Sequence, residues 1–322
     1  MTPDIDFSDV NLNLSGAFTA LVTPMKPDAN SLKETTIDYN GFGRIVNYQI
    51  DGGIDGIVVL GTTAETPTLE DDEEEKLIKI AAQEINGRAK FIIGTTSNDT
   101  CYAVEWTRRA RDAGADAALV AAPYYNKPNT SGLLKHFEKI LDVGLPVILY
   151  NIPGRTGRNI SIDEMKFLAR HPNVIGVKEA SGDMVQIKRV INEIKKPLQA
   201  RGRNFGVLSG DDGLTAQVIR EGGDGVVSVI SNLVPGKVKA LTDAGLSGDA
   251  YTMDAIDNDL QELSRMAFID GNPVSIKYLT WLAGIIDSPS CRLPLGPIDP
   301  KKGKKLVAFM NVFLKENKIP VR

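Results

Sequence analysis

Three stretches of this chain repeat one phrase, and the phrase limits the folds open to it. Asp51-Gly52-Gly53-Ile54-Asp55-Gly56-Ile57-Val58-Val59, Ala113-Gly114-Ala115-Asp116-Ala117-Ala118-Leu119-Val120 and Gly222-Gly223-Asp224-Gly225-Val226-Val227-Ser228-Val229 each set glycine ahead of a short apolar run. Glycine stops a helix readily, and an uninterrupted apolar run suits a strand covered on both faces. Filling in between these handovers places strands near 16–22, 55–60, 90–94, 116–121, 146–150, 173–178, 204–208 and 225–229. Helical periodicity falls at 70–86, 100–113, 131–142, 161–170 and 183–195. Eight strands alternating with helices predict an α/β fold, a (β/α)8 TIM barrel over 16–247. A C-terminal helical domain follows over 248–322, with helices at Asp249–Phe268, Pro273–Ile286 and Lys301–Lys315. An open doubly wound sheet is the alternative, but no Gly-x-Gly-x-x-Gly follows the first strand and no Walker-type loop occurs. Residues 1–15 read as an N-terminal tail, polar through 1–14, and the proline-rich Ser288–Pro300 as a loop.

Composition removes several classes of function. With 42% hydrophobic and 24% charged residues and a net charge of −4, the 322-residue chain carries no basic stripe for nucleic acid. No apolar run approaches the roughly 18–20 residues that span a membrane, and Asp4, Asp6 and Asp9 do not resemble a targeting segment, so a cytoplasmic protein is expected. Cys101 and Cys291 offer neither a disulfide framework nor a metal pairing. The only histidines, His136 and His171, leave little for a histidine triad or metal site and read as surface residues. Asp211-Asp212 is the one acidic cluster that could take Mg²⁺, although its setting after a strand suits helix capping. No metal and no cofactor is expected.

In a barrel of this type, chemistry sits on the loops after the strands. Gly61-Thr62-Thr63-Ala64-Glu65 after the second strand offers hydroxyls and backbone N–H groups to an anion. Pro123-Tyr124-Tyr125-Asn126 follows the fourth strand and Tyr150-Asn151-Ile152-Pro153 the fifth. Lys178 ends the apolar run Val174-Ile175-Gly176-Val177, then come Ser209-Gly210-Asp211 and Ser228. Each has a plainer role: Lys178 could reach solvent or pair with Glu179, the threonines could cap a helix, the tyrosines could pack, and Arg155 could be a surface charge. Their coincidence at one mouth favours imine chemistry on a 2-keto acid. A lysine amine would attack the keto carbon, tyrosine and threonine would relay protons, and an arginine would bind a carboxylate.

Four motifs, Gly61–Glu65, Tyr124-Tyr125-Asn126-Lys127-Pro128, Tyr150-Asn151-Ile152-Pro153-Gly154-Arg155-Thr156-Gly157 and Gly176-Val177-Lys178-Glu179-Ala180, resemble those of the 4-hydroxy-tetrahydrodipicolinate (dihydrodipicolinate) synthase family from about Gly16 to Leu314. The resemblance implies a class I aldolase-type lyase that condenses pyruvate with L-aspartate 4-semialdehyde in lysine and diaminopimelate biosynthesis. It implies Lys178 as the Schiff-base lysine, Tyr150, Thr63 and Tyr125 as the other catalytic residues, and Thr62, Thr63, Arg155, Gly210 and Val227 around the substrates. The second tyrosine, Tyr125, would come from a neighbouring subunit, which implies a homotetramer built as a dimer of dimers. Relatives on the same barrel cleave sugar acids such as N-acetylneuraminate, and Arg155 is the residue that favours the synthase over them. A non-catalytic keto-acid binder is the remaining alternative.

Three departures from the family pattern bear on these expectations. Ala64 stands where a glycine is common. Tyr124 and Asn98 match an effector pocket for lysine, yet Asp71, Glu74 and Tyr102 replace the histidines and glutamate of inhibited relatives. The 1–14 tail and the polar 195–204 stretch exceed the compact pattern without an evident role.

Overall fold

The computed structural model describes residues 12–316; most of the expected N-terminal tail therefore lies outside the described residues. Eight parallel strands, among the ten described, close into a barrel. β1 (Gly16–Ala20) is followed by a short antiparallel pair, β2 (Met25–Pro27) and β3 (Thr35–Ile37), which the sequence pattern does not reveal. The remaining barrel strands are β4 (Gly56–Val59), β5 (Lys90–Gly94), β6 (Ala117–Ala121), β7 (Val147–Asn151), β8 (Val174–Glu179), β9 (Gly206–Ser209) and β10 (Gly225–Ser228). They pair in sequence order, and β10 closes onto β1.

The two-residue period of a strand sorts the apolar residues into two cores. Phe18, Val58, Ile92, Leu119, Ile148 and Leu208 fill the barrel, while Ala17, Ile57, Ile93, Val120, Leu149 and Val207 face the helices. Leu14 corrects the expectation of a polar tail: it is 3% exposed and closes the lower end of the interior core. A Cβ added to Gly176 would lie 2.8 Å from Leu14 Cδ1, and one on Gly206 would lie 2.7 Å from Leu14 Cβ. The two glycines thus leave the space that this plug fills.

The repeated phrase does more than stop helices. Gly53, Gly114 and Gly222 take the left-handed backbone expected of them (φ 77°, 80° and 99°). The aspartate that follows in each phrase accepts a hydrogen bond from the second residue of the adjacent strand: Asp55 from Ala17 N (2.9 Å), Asp116 from Phe91 N (2.7 Å) and Asp224 from Val207 N (2.7 Å). These strand-entry amides would otherwise lack a ladder partner.

The polar 195–204 stretch also has a role. Lys195 Nζ donates to Gly222 O (2.6 Å) and Asp224 Oδ1 (2.7 Å), and the Arg203 guanidinium donates to main-chain oxygens including Ala169 and Val174 (2.5 and 2.8 Å). The helix expected to end at 195 passes through a π-helical turn, Ile191–Lys195, and continues as Lys196–Gln199. The wider turn accommodates Pro197, which cannot donate a backbone hydrogen bond.

Beyond the barrel, helices Ala250–Met266, Val274–Leu282 and Pro300–Glu316 follow Pro235–Leu246. The second stops short of the expected Ile286, where Gly284 turns left-handed (φ 70°). The strand-entry aspartates yield a direct test. Asp116→Ala, which leaves the Phe91 amide without its acceptor, should lower unfolding free energy by about 1 kcal/mol in urea. An unchanged midpoint would show that the hydrogen bond carries no net stability.

Candidate active site

A β-bulge decides which way Lys178 points. Val147 of β7 pairs with Val174, but the next residue, Ile148, pairs with Gly176, so Ile175 is an extra residue in β8. Val174 and Val177 face the helices while Ile175 packs inside the barrel. Without the extra residue, strict alternation from Val174 would send Lys178 outward. With it, Lys178 lies directly across from Tyr150 and is 5% exposed, its Nζ 4.3 Å from the centre of the Tyr150 ring. Glu179 faces the opposite way and accepts hydrogen bonds from Asn151, Gln186 and Ser181. Pairing with Glu179 is thereby ruled out as the destination of the Lys178 amine.

Gly210 lies against this lysine, and Val227 belongs to the interior core that holds Tyr150. A Cβ on Gly210 would sit 2.5 Å from Ala180 Cβ and 3.1 Å from Lys178 Cε, so a side chain there would crowd the amine. Val227 is buried with Tyr150 and Leu208 in the interior core.

The Thr62-Thr63 loop is held under strain. It forms a single 3₁₀ turn, Thr62–Ala64, between two non-glycine residues in the left-handed region, Leu60 (φ 54°) and Glu65 (φ 62°). Such residues cost about 1–3 kcal/mol each and persist only where surrounding contacts hold them. The Thr62 and Thr63 amides precede the first internal hydrogen bond of the turn, Ala64 N to Gly61 O. Ala64 is buried and is not itself left-handed, so the turn does not need the missing glycine.

The contacts that hold the loop come from the C-terminal segment. Glu65 and Lys277, both fully buried, form an ion pair with Nζ to Oε1 of 2.6 Å, and Arg292 N donates to Glu65 Oε2 (2.8 Å). Arg292, in the loop expected only to interrupt helices, is 2% exposed and grips both Glu73 carboxylate oxygens (2.6 and 2.9 Å). Asn272 Nδ2 donates to Thr63 Oγ1 (3.0 Å). Glu65 belongs to the Gly61–Glu65 motif, whereas Asn272, Lys277 and Arg292 lie in none of the four motifs. The one signal available was a lysine inside an apolar helical run, Val274-Ser275-Ile276-Lys277.

A cleft of about 530 Å³ opens in front of Tyr150, lined by Thr62, Tyr124, Arg155, Glu74 and Tyr102 among others. Lys178 and Thr63 do not line it; both are buried. Arg155 is exposed and anchored by Nη2 to Asn272 O (3.1 Å). Tyr125 is not brought to the site by its own chain: it is 89% exposed, in a left-handed conformation (φ 69°).

Tyr102, which lines the cleft, donates to Asp71 (2.8 Å), and the Asn98 main-chain oxygen accepts from Asn126 Nδ2 (2.8 Å). Burial, reinforced by Asp71, pushes the Glu74 carboxyl up to about 8, while burial raises the Tyr102 phenol. Asp211 and Asp212 have backbone duties instead: Asp211 caps Gly213, and Asp212 Oδ2 accepts from Val229 N (2.8 Å) and Ile230 N (3.2 Å). His136 is buried, not on the surface; its Nδ1 meets Thr100 Oγ1 at 2.9 Å, and burial pulls its pKa down to about 4.

Residues 13–312 match the model of the dihydrodipicolinate synthetase family. The chain is 43% identical over 299 residues to a 4-hydroxy-tetrahydrodipicolinate synthase of Protochlamydia amoebophila, covering 92% of this chain and 96% of that one. It is similar to the crystal structure of dihydrodipicolinate synthase from Aquifex aeolicus, with TM-score 0.87 and 38% identity, covering 96% and 99% of the two chains. A chloride-inhibited Acinetobacter baumannii dihydrodipicolinate synthase complexed with pyruvate superposes with TM-score 0.86 at 34% identity, covering 96% and 100%.

The buried tether has a measurable consequence. Lys277→Met leaves the Glu65 carboxylate without its counter-charge and should cost about 3–5 kcal/mol of unfolding free energy. A loss below about 1 kcal/mol in urea titration would show that the pair does not hold the loop.

Proposed function

This chain belongs to the dihydrodipicolinate synthetase family, and on that footing we propose that it condenses pyruvate with L-aspartate 4-semialdehyde to 4-hydroxy-tetrahydrodipicolinate through an imine on Lys178. The observation that carries this is a lysine turned into the barrel against Tyr150, with no carboxylate paired to its amine among the described residues. The free base adds to the keto carbon of pyruvate, and loss of water leaves a carbon–nitrogen double bond. A methyl proton then departs, giving an enamine that attacks the aldehyde carbon of the semialdehyde. The amino group of that substrate displaces the Lys178 amine, which closes the ring and frees the enzyme. One water is released for each product.

Tyr150 and Thr63 are the proposed proton carriers, since a positioned hydroxyl shuttles protons within hydrogen-bond reach. The Thr62 and Thr63 amides and the Thr62 hydroxyl suit the pyruvate carboxylate. The Arg155 guanidinium, at the rim of the cleft, suits the carboxylate of the second substrate and favours this acceptor over a sugar. Gly210 and Val227 keep the space around the imine. Tyr125 is assigned to the site of a second copy, within a dimer of dimers; its exposure supports that assignment. A cytoplasmic setting fits two unpaired cysteines, one of them exposed. Asn98 and Tyr124 remain the proposed effector contacts, and the acidic Asp71 and Glu74 beside them speak against the usual mode of lysine inhibition.

Borohydride reduction in the presence of pyruvate should add one reduced pyruvate to the peptide carrying Lys178. Arg155→Ala should still be labelled while its turnover with the semialdehyde falls at least about tenfold. An unlabelled wild-type protein would exclude the imine. Mixing Tyr125→Phe with Lys178→Ala subunits should give activity above the sum of the two parents, because a hybrid dimer holds one complete site. Activity equal to that sum would place Tyr125 outside its neighbour's site.

A further inference from the structure

We propose that Asn272 is a positioning residue that sets the direction in which Thr63 passes its proton. The inference deepens the imine mechanism and rests on it, since it concerns the proposed relay. Asn272 is 9% exposed, and its Nδ2 lies 3.0 Å from Thr63 Oγ1, which is itself buried. An amide NH₂ can only donate to a hydroxyl oxygen, so Thr63 Oγ1 is the acceptor in this contact. The single Thr63 hydroxyl proton is thereby left for another acceptor, as a relay requires. An acceptor at the Asn272 position would instead draw that proton away from the reacting groups.

The local structure keeps this contact in place. Asn272 Oδ1 is buried without a partner among the described residues, so the bond to Thr63 is the hydrogen bond this side chain makes to protein. On one side, the Asp270 amide donates to Ser275 Oγ (2.8 Å) and the Ser275 amide to Gly271 O (3.1 Å), which closes the turn that carries Asn272. On the other side, the Glu65–Lys277 ion pair joins the same two segments only a few residues away. The main-chain oxygen of Asn272 separately accepts from Arg155 Nη2. One residue therefore touches a proton carrier with its side chain and the proposed carboxylate anchor with its backbone. Substitution can separate these two duties.

In Asn272→Asp an ionised carboxylate can only accept, so it would capture the Thr63 proton. At pH 8, kcat should fall at least about tenfold, while KM for the semialdehyde stays within about twofold because the backbone contact to Arg155 remains. As pH falls and the buried aspartate takes up a proton, it becomes a donor again, and kcat relative to wild type should rise. Asn272→Ala, which removes the donor without introducing a competing acceptor, should show a smaller and pH-independent loss. In a Thr63→Val background, Asn272→Asp should cost less than about a further twofold. Additive losses in that cycle, or an Asn272→Asp deficit that does not narrow on acidification, would overturn the proposal. If wild-type protein failed to trap pyruvate under borohydride, the imine mechanism itself would fall; a trapped wild type with additive losses would remove only the role of Asn272.

Discussion

The bulge at Ile175 turns Lys178 from the helix-covered face of the sheet to the barrel interior, and the imine chemistry proposed at the mouth depends on that change of phase. A parallel barrel buries both faces of every strand, so an apolar run such as Val174–Val177 fits either phase equally well. The extra residue breaks the tie. Its neighbours show the adaptation: Gly176 and Gly206 leave room for Leu14 below, and Gly210 leaves room for the lysine chain above. Glu179, one residue on, faces outward into a network with Asn151 and Gln186, which keeps its charge away from the amine.

The second constraint is the tether between the Thr62-Thr63 loop and the C-terminal segment. Two left-handed residues make that loop expensive on its own, and a fully buried ion pair is costly too unless both partners are well bonded. Each supports the other, because Glu65 is both a strained residue and the carboxylate that receives Lys277 and the Arg292 amide. The C-terminal helices are therefore part of the site. Asn272, at the start of the same segment, contacts Thr63 and Arg155 together.

Much of this was legible in the sequence, for identifiable reasons. Glycine-terminated helices and unbroken apolar runs carry the barrel, and local geometry explains why: Gly53, Gly114 and Gly222 are left-handed where a helix hands over to a strand. Lys178, Tyr150, Thr62 and Arg155 follow from strand-end position alone. The tether is not visible that way, because its partners lie 209, 212 and 227 residues apart and no local pattern links them. Leu14 reads as part of a polar tail because Asn13 and Ser15 beside it are polar; only the two interior glycines explain its burial. Tyr125 cannot be assigned to a site within one chain, since its side chain leaves the fold that carries it. The carboxylates of Asp55, Asp116 and Asp224 recur in the repeated phrase, but their acceptor role depends on which strand lies alongside.

A crystal structure of the protein soaked with pyruvate tests the central claim most directly. The account predicts continuous density between Lys178 Nζ and the former keto carbon, with the carboxylate against the Thr62 and Thr63 amides. Pyruvate bound without a bond to Lys178, or seated away from the threonine pair, would contradict it.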